Sequence, residues 1–320
     1  MSSGHDMWAI TTYFNPAGYR ARPRNYRVFA ERLNVPLLTI ELVYGAKPEL
    51  TSADATRLVQ LRSDQVLWQK ERLLNLALAA LPSECRSVAW LDCDLVFEDP
   101  SWADKTRGAL EQFPLVQPYG NVFDLAPAAE PGNDVSDHVI FERESMANQY
   151  RRGAIDFGAT SASMLGEYSP GHAWASRRDV LNRVEFYDAM ILGSGDTGMA
   201  LAALGRYEDI VEAYEMNHRQ AEHYRAWARE WHAVINGRVG VVDGGLYHLW
   251  HGDLRDRGYD IRYAGLKEHD FDPQVDIRLD RNGCWRWGSD KKELHEYVRR
   301  YFAARREDGP DAADDSARSL

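Results

Sequence analysis

A short apolar segment at residues 87–97, broken by two carboxylates, is the feature that most constrains the fold of this chain. Residues 87–91 read SVAWL and residues 95–97 read LVF, with Asp92, Cys93 and Asp94 between them. A short continuous apolar run is typical of a parallel strand that is buried on both faces. In such sheets ligands bind beyond the carboxyl ends of the strands. The segment therefore predicts an α/β fold with a site at the mouth of its central sheet.

The segments on either side predict the rest of a mostly parallel central sheet flanked by helices. Strands are expected at residues 8–14 and 35–44, because both are rich in β-branched and aromatic side chains. The apolar spacing between them predicts a helix, which completes a βαβ unit. A further helix is expected at 64–81, where Pro82 ends it. Later residues predict helices at 176–186, 197–204 and 291–305, and a last strand at 239–250.

We divide the chain into three parts on the same grounds. Residues 1–264 are expected to form the main domain, and residues 265–306 a C-terminal extension that contains a helix. Residues 307–320 are polar, small and acidic, which predicts a disordered acidic tail.

Composition excludes several classes of protein. The net charge of -11 provides no basic field for a phosphate backbone, so unaided nucleic-acid binding is not expected. The three cysteines, Cys85, Cys93 and Cys284, show no Cys-x-x-Cys spacing, so neither a disulfide framework nor a structural zinc site is indicated, which favours a cytoplasmic setting. We find neither a signal-peptide pattern at residues 1–10 nor a long apolar stretch, so no membrane span is expected.

The Asp-x-Asp motif suits one hard divalent cation. On a continuous strand Asp92 and Asp94 would point to one face, with Cys93 turned into the core. A cation held there could neutralise a diphosphate and stabilise it as a leaving group. The alternative is a chance motif on a surface turn. The apolar surroundings favour the cation, because burying even a neutral polar group without a partner costs roughly 2 to 7 kcal/mol.

Two histidines three residues apart could complete the coordination of this cation. His248 and His251 lie at the end of an apolar run, and an imidazole nitrogen is a suitable ligand. The alternative is a histidine that hydrogen-bonds the backbone in the core. On a continuing strand an offset of three would place the two rings on opposite faces, so one of them is expected at the site. We favour His251, beside Gly252, with His248 as the alternative.

Four stretches, in this order, resemble the β-1,4-galactosyltransferase type of GT-A glycosyltransferase. They are residues 68–75 (WQKERLLN), residues 87–96, the segment from Gly171 to the GSGD sequence at 193–196, and His251 with the charged run through Arg257. Members of this family are inverting, manganese-dependent enzymes with nucleotide-sugar donors. The resemblance spans residues 8–257, and the extension beyond residue 265 matches nothing in the family.

The resemblance implies a GT-A (Rossmann-like) fold, a Mn²⁺ or Mg²⁺ ion and a nucleotide-sugar donor, with a UDP-sugar favoured. It also implies roles for individual residues. Asp92, Asp94 and His251 would form the metal site, with Asp94 as the direct ligand and Asp92 in contact with the ribose or a metal-bound water. The residues in donor-contact positions are Tyr13, Phe14, Asn15, Trp68 and Lys70.

Asp196 matches the position of the catalytic base of this family. Inversion needs one carboxylate that deprotonates the acceptor hydroxyl, while the metal holds the departing diphosphate on the other side. Alternatively, Asp196 only caps a helix that starts at Thr197. Two roles are also possible for Arg20, Arg22 and Arg24. They could contact phosphate groups of the donor, or they could form a solvated face of the protein.

Four functions remain open on the sequence alone. The first is an inverting transfer of a hexose-type sugar to an acceptor hydroxyl on a glycan, a protein or a modified base. The second is a retaining transferase that does not need Asp196 as base. The third is a metal-dependent nucleotidyltransferase or phosphohydrolase, since two carboxylates and a cation serve any displacement at phosphorus. The fourth is a non-catalytic binder of sugar nucleotides or glycans.

Overall fold

The computed structural model describes residues 6–127, 138–155, 165, 167–259 and 261–309. The strands are β1 (Met7–Phe14), β2 (Leu37–Val43), β3 (Arg57–Arg62), β4 (Ser87–Leu91), β5 (Leu95–Phe97), β6 (Leu115–Gln117), β7 (Asn121–Leu125), β8 (Val139–Glu144), β9 (Ala173–Arg177), β10 (Val239–Val241), β11 (Gly245–His248), β12 (Ile277–Leu279) and β13 (Trp285–Trp287). The helices are α1 (Ala21–Arg32), α2 (Lys70–Ala80), α3 (Trp102–Leu110), α4 (Met146–Arg151), α5 (Arg178–Leu181), α6 (Gly195–Ala203), α7 (Tyr207–Ala213), α8 (His218–Ile235), α9 (Arg262–Glu268), α10 (Pro273–Asp276) and α11 (Lys292–Ala304), with a 3-10 turn at Leu254–Arg257.

A seven-stranded central sheet forms the body of the protein. Its strand order is β10-β6-β9-β4-β1-β2-β3, and β9 runs antiparallel to both of its neighbours while the other pairs are parallel. Helix α2 packs against β1 and β2, and α3 against β6 and β9. The predicted fold class, a mostly parallel central sheet flanked by helices, is therefore confirmed.

Strand alternation divides the core between the two faces of this sheet. On one face Ile10 and Trp90 pack in a cluster with Leu73 of α2. On the other face Ala9 packs in a second cluster with Trp102 of α3. Neighbouring residues on a strand point to opposite faces, so a strand that is apolar throughout fits between two layers of helices.

The predicted strand at 87–97 is two strands, and this prediction was wrong in a way that shapes the site. β4 pairs with β1 and β9 in the central sheet, whereas β5 pairs with β11 in a second sheet of order β5-β11-β7-β8. Asp92, Cys93 and Asp94 form the turn between them. The carboxylates therefore do not share one strand face. Residues 239–250 likewise divide into β10 in the central sheet and β11 in the second.

Several helix boundaries also differ from the sequence predictions. Helix α2 begins at Lys70 instead of residue 64. Residues 63–69 form neither helix nor strand, and Trp68 N donates to Ile191 O over 3.2 Å. Residues 176–186 contribute to β9 and the short α5, and not to one longer helix. Helix α11 confirms the predicted C-terminal helix. Strand β3 and the 18-residue helix α8 were not predicted.

The C-terminal segment returns to the start of α1. Tyr19 Oη donates to Phe302 O over 2.8 Å, and the Asp308 carboxylate accepts from Ala21 N over 2.7 Å. Glu307, at the start of the predicted tail, is fully buried. Residues 310–320 of that tail lie outside the described residues. Within the described ranges, no helix combines the length and apolar character that crossing a bilayer requires.

Candidate active site

A cavity of about 710 Å³ lies where the central sheet, the second sheet and the C-terminal segment meet. The turn after β4 contributes Asp92 and Asp94, and the end of β11 contributes His248. The start of α6 contributes Asp196, and the C-terminal segment contributes Arg305. The cavity thus lies at the carboxyl ends of central strands, where the sequence predicted a site.

Asp94, His248 and His251 converge on one point of the cavity wall. The distance from His251 Nε2 to Asp94 Oδ2 is 3.1 Å, and that from His248 Nε2 to Asp94 Oδ1 is 3.9 Å. The two Nε2 atoms are 3.0 Å apart. Strand alternation predicted one histidine here, but β11 ends at His248, so the chain is free to turn and both rings face Asp94.

The donor atoms of this group fit a divalent cation. His248 Nδ1 lies 2.7 Å from Asp124 Oδ1, and a carboxylate can only accept, so Nδ1 carries the proton and Nε2 presents its lone pair. Arg143 holds Asp124 in place, with Nη2 2.7 Å from Oδ2. Asp94 Oδ1 is buried without a hydrogen-bond partner. A histidine oriented by a carboxylate beside an unpartnered acidic oxygen is a usual arrangement at metal centres.

The protonation states of His251 and Asp94 also favour the binding of a cation. Burial, followed by the charge of Arg257, holds the pKa of His251 well below its usual range, so the imidazole is neutral and able to coordinate. Burial raises the pKa of Asp94. A bound cation would restore the ionised carboxylate. Arg257 Nη2 lies 2.9 Å from His251 Nε2, so the guanidinium lies at the edge of the same site.

Asp124, His172 and His248 form a second group with potential ligand atoms close together. This group is less suited to a cation, because Asp124 already bonds Arg143 through both oxygens. We therefore assign Asp124 to orienting His248.

Lys70 links the other two acidic residues of the site. Its Nζ lies 2.5 Å from Asp92 Oδ1 and 2.6 Å from Asp196 Oδ2. Burial alone would lower the pKa of Lys70, but the carboxylates of Asp196 and Asp92 outweigh it and raise the pKa well above its usual range. The ammonium group is therefore always charged and fixes both carboxylates from the first residue of α2.

Asp196 lies in the first turn of α6, and its carboxylate is directed at Lys70. The N-cap residue of α6 is Ser194, whose φ is 67° and which forms no side-chain capping bond. Asp196 is thus not the N-cap residue of this helix. Burial raises the pKa of Asp196, although Lys70 opposes the shift. A carboxylate with a raised pKa is a better proton acceptor near neutral pH.

Glu71 is a buried acid beside this network and should make stability depend on pH. Burial raises the pKa of Glu71 from 4.5 to about 8, with Lys70 opposing the shift. Between these two values the folded protein holds a proton that the unfolded chain has lost. The free energy of unfolding should therefore fall as the pH rises through this window and level off above it. Glu71→Gln cannot titrate, so urea unfolding across the window should show a smaller slope for this variant. Equal slopes in both proteins would contradict this assignment.

Gly195 opens α6 directly against Glu71, which predicts a sharp cost for a side chain there. A Cβ atom on Gly195 would overlap the Glu71 carboxyl group. We expect Gly195→Ala to lower the free energy of unfolding by about 1 to 3 kcal/mol through overpacking. Gly108→Ala in α3 is the matched control, because its Cβ would meet nothing within 4 Å. It should be neutral or raise stability by up to about 1 kcal/mol. Similar urea midpoints for the two variants would show that α6 does not pack this closely on α2.

The structure separates the predicted donor-contact residues into two groups. Phe14, Trp68 and Lys70 line the cavity together with Asp92. Tyr13 and Asn15 are not among the lining residues. Their side chains instead donate hydrogen bonds to the Glu49 carboxylate.

Of the three N-terminal arginines, Arg22 alone is among the residues that line the cavity. Its Nε lies 2.5 Å from Glu307 Oε2, and its Nη2 donates to Oε1 over 2.7 Å. Arg305 Nε bonds the same carboxylate over 2.5 Å. Sequence reasoning missed Glu307 as part of the site, because its acidic surroundings predicted a solvated tail.

Two buried arginines of the cavity have no acidic partner among the residues that the structure describes. Arg257 and Arg262 form no ion pair within the described part of the chain, and each leaves Nε without a hydrogen bond. Arg262 instead donates to the hydroxyl groups of Tyr301 and Ser194. A buried charge is costly unless it is paired, so two unpaired guanidinium groups at one cavity favour an anionic ligand. Arg262 was not identified from the sequence, because a lone arginine in a helix resembles a surface residue.

No family model and no curated protein matches this sequence. Solved structures that the chain is similar to include a mycobacterial protein, at 14% identity over 90% of this chain and 84% of that chain, with a TM-score of 0.42. Another is S. aureus TarS in complex with UDP-GlcNAc, at 8% identity, 93% and 72% coverage and a TM-score of 0.41. A third is a variant of Drosophila beta1,4galactosyltransferase 7 in complex with manganese, UDP-Gal and xylobiose, at 12% identity, 65% and 61% coverage and a TM-score of 0.28. The last of these three structures is of a galactosyltransferase.

Proposed function

We propose that this protein is a metal-dependent, inverting glycosyltransferase that moves a hexose-type sugar from a nucleotide-sugar, with a UDP-sugar favoured, to an acceptor hydroxyl. One observation carries the proposal. A group of potential cation ligands, two buried arginines that form no ion pair among the described residues, and a carboxylate suited to proton transfer all face one cavity at the carboxyl ends of central strands. A nucleoside diphosphate leaving group requires the first two features, and an incoming hydroxyl requires the third.

Asp94, His248 and His251 would hold the cation, Mn²⁺ or Mg²⁺. When bound, such an ion supplies positive charge that stabilises a departing diphosphate. Asp124 keeps the Nε2 lone pair of His248 directed at the site, since it binds the proton on Nδ1. Arg257 and Arg262 would contact the diphosphate oxygens as charged hydrogen-bond donors.

Asp196 would act as the general base. Its carboxylate takes the proton of the acceptor hydroxyl as the acceptor oxygen bonds to the anomeric carbon of the sugar. The bond between that carbon and the phosphate oxygen breaks, and its electron pair leaves with the nucleoside diphosphate. Lys70 fixes Asp196 and Asp92 in one arrangement, so the base does not need to reorient during the reaction.

We also propose that the C-terminal extension forms part of the active site. Residues 1–264 would form the catalytic domain, and residues 265–306 would complete the cavity wall with Tyr301 and Arg305. We place the protein in the cytoplasm, because the cysteines Cys85, Cys93 and Cys284 are unpaired.

A screen of nucleotide-sugars tests the proposal. The native protein is incubated with each donor in the presence of MnCl₂ or EDTA, and release of nucleoside diphosphate is measured. We expect release from at least one donor, stimulated by the metal and suppressed by EDTA. Release of pyrophosphate or inorganic phosphate instead would indicate a nucleotidyltransferase or a phosphohydrolase. Binding of a donor without any turnover would indicate a non-catalytic binder.

A further inference from the structure

Exposed apolar side chains cluster at the mouth of the candidate active site. Among the described residues, seven large apolar side chains are exposed. Four of them line the cavity, with exposed fractions of 54% for Phe141, 47% for Leu254, 37% for Tyr259 and 71% for Ile261. We call these four residues the apolar rim.

The apolar rim is continuous with the cavity. Phe141, Leu254, Tyr259 and Ile261 are also among the residues that line it. Phe141 projects from β8 of the second sheet, and the other three belong to the segment between β11 and α9. Two separate segments of the chain therefore contribute the rim to the candidate active-site cavity.

The two rings of the rim are held by cationic neighbours. The Arg143 guanidinium lies 5.8 Å from the centroid of the Phe141 ring, and that of Arg262 lies 4.6 Å from the centroid of Tyr259. Arg143 also bonds Asp124, and Arg262 also bonds Tyr301, so both are anchored to the site. The rings are thus positioned by the same residues that build the cavity, while part of their apolar surface stays open.

We infer that the acceptor carries an alkyl chain beside its reacting hydroxyl, and that the apolar rim binds this chain. The inference rests on the proposed function, because the donor is expected to fill the polar interior around Asp94 and Lys70. Contiguous exposed apolar surface at a binding cavity marks a site that an apolar ligand covers. The rim presents two aliphatic and two aromatic side chains from two segments of the chain. A flexible alkyl chain can adapt to side chains of both kinds, whereas a rigid planar group would match the aromatic ones best.

The expected effect is a dependence of acceptor affinity on chain length. Each buried methylene contributes about fourfold in affinity, and partial exposure at a cavity mouth reduces this. We expect octyl β-glycosides to bind at least about tenfold more tightly than methyl β-glycosides of the same sugar. Phenyl β-glycosides and a serine-containing apolar peptide serve as probes for the other two kinds of occupant.

Binding and turnover are measured separately. Octyl and methyl β-glucoside, kept below micelle-forming concentrations, are titrated into the protein by calorimetry. The kcat/KM for transfer is then compared across alkyl glycosides of several sugars, with the donor found in the screen. Ile261→Ser and Phe141→Ser should each reduce the preference for octyl over methyl. Leu279→Ser and Val275→Ser are matched controls, because they replace exposed apolar residues outside the cavity lining and should keep the preference.

The outcomes distinguish this inference from the proposed function. Octyl preference that is lost in the rim variants and kept in the controls supports the inference. Equal binding of methyl and octyl glucosides, or tighter binding of the phenyl or peptide probe, overturns it and leaves donor turnover intact. Octyl preference without nucleoside diphosphate release from any donor overturns the proposed reaction and leaves the rim as a binding surface for alkyl chains.

Discussion

Replacing Asp94 by asparagine is expected to abolish metal-dependent turnover. Asp94 is the one carboxylate of the three-residue cation group, and asparagine keeps its size while removing its charge. Loss of outer-shell partners alone typically weakens metal binding 10- to 100-fold, so loss of this ligand should weaken it by more than about 100-fold. A cation at a developing diphosphate contributes several kcal/mol, which corresponds to a fall of about 1,000-fold or more in nucleoside diphosphate release. Manganese titration and the release assay measure the two effects.

Unfolding of the variant would not explain such a loss. Asp94 Oδ1 is buried and unpartnered, so removing the charge should leave the metal-free protein at least as stable as the native one in urea. Asp104→Asn is the matched control, because its side chain is 73% exposed on α3 and bonds Arg107. It should retain both metal binding and turnover. Native rates in Asp94→Asn would remove the cation from the mechanism.

Replacing Asp196 by asparagine is expected to stop transfer without loss of the metal. An amide cannot take the proton of an acceptor hydroxyl, and a positioned general base typically contributes about 100- to 10,000-fold in rate. We therefore expect kcat for transfer to fall within this range. The amide oxygen can still accept from Lys70, so the geometry between α2 and α6 should persist. Manganese affinity should remain unchanged, because the cation group does not include Asp196.

The measurement is a transfer assay at saturating donor, combined with manganese titration of the same preparation. Transfer within about threefold of the native rate would exclude Asp196 as the base and favour a retaining mechanism, since that reaction does not need it. Analysis of the anomeric configuration of the product provides an independent check. An inverted product together with full activity of the variant would require another base.

The central sheet could be predicted because several of its strands are recognisable from their own consecutive residues. β1, β2 and β4 are buried on both faces, and each reads as a short apolar run. The break at 92–94 could not be predicted in the same way. β5 is apolar as well, so the pattern continues while the chain passes from one sheet to the other. A change of pairing partner leaves no signal in local periodicity.

The candidate site could also be predicted only in part, because local sequence patterns do not reveal tertiary contacts. Asp92, Asp94 and Lys70 stand out because they are charged residues beside apolar segments, and the structure brings them to one cavity. Asp124 and Glu307 act through contacts with residues far away along the chain. Asp124 bonds a histidine 124 positions later, and Glu307 bonds an arginine 285 positions earlier. Such pairs depend on tertiary geometry, which composition and spacing do not encode.

The cation group itself is tested most directly by anomalous diffraction from crystals of the native protein soaked in MnCl₂. The account predicts one manganese peak within bonding distance of Asp94, His248 and His251, with the Arg257 guanidinium displaced from His251. A map without a peak among these three side chains, and with Arg257 still against the imidazole, would contradict the account.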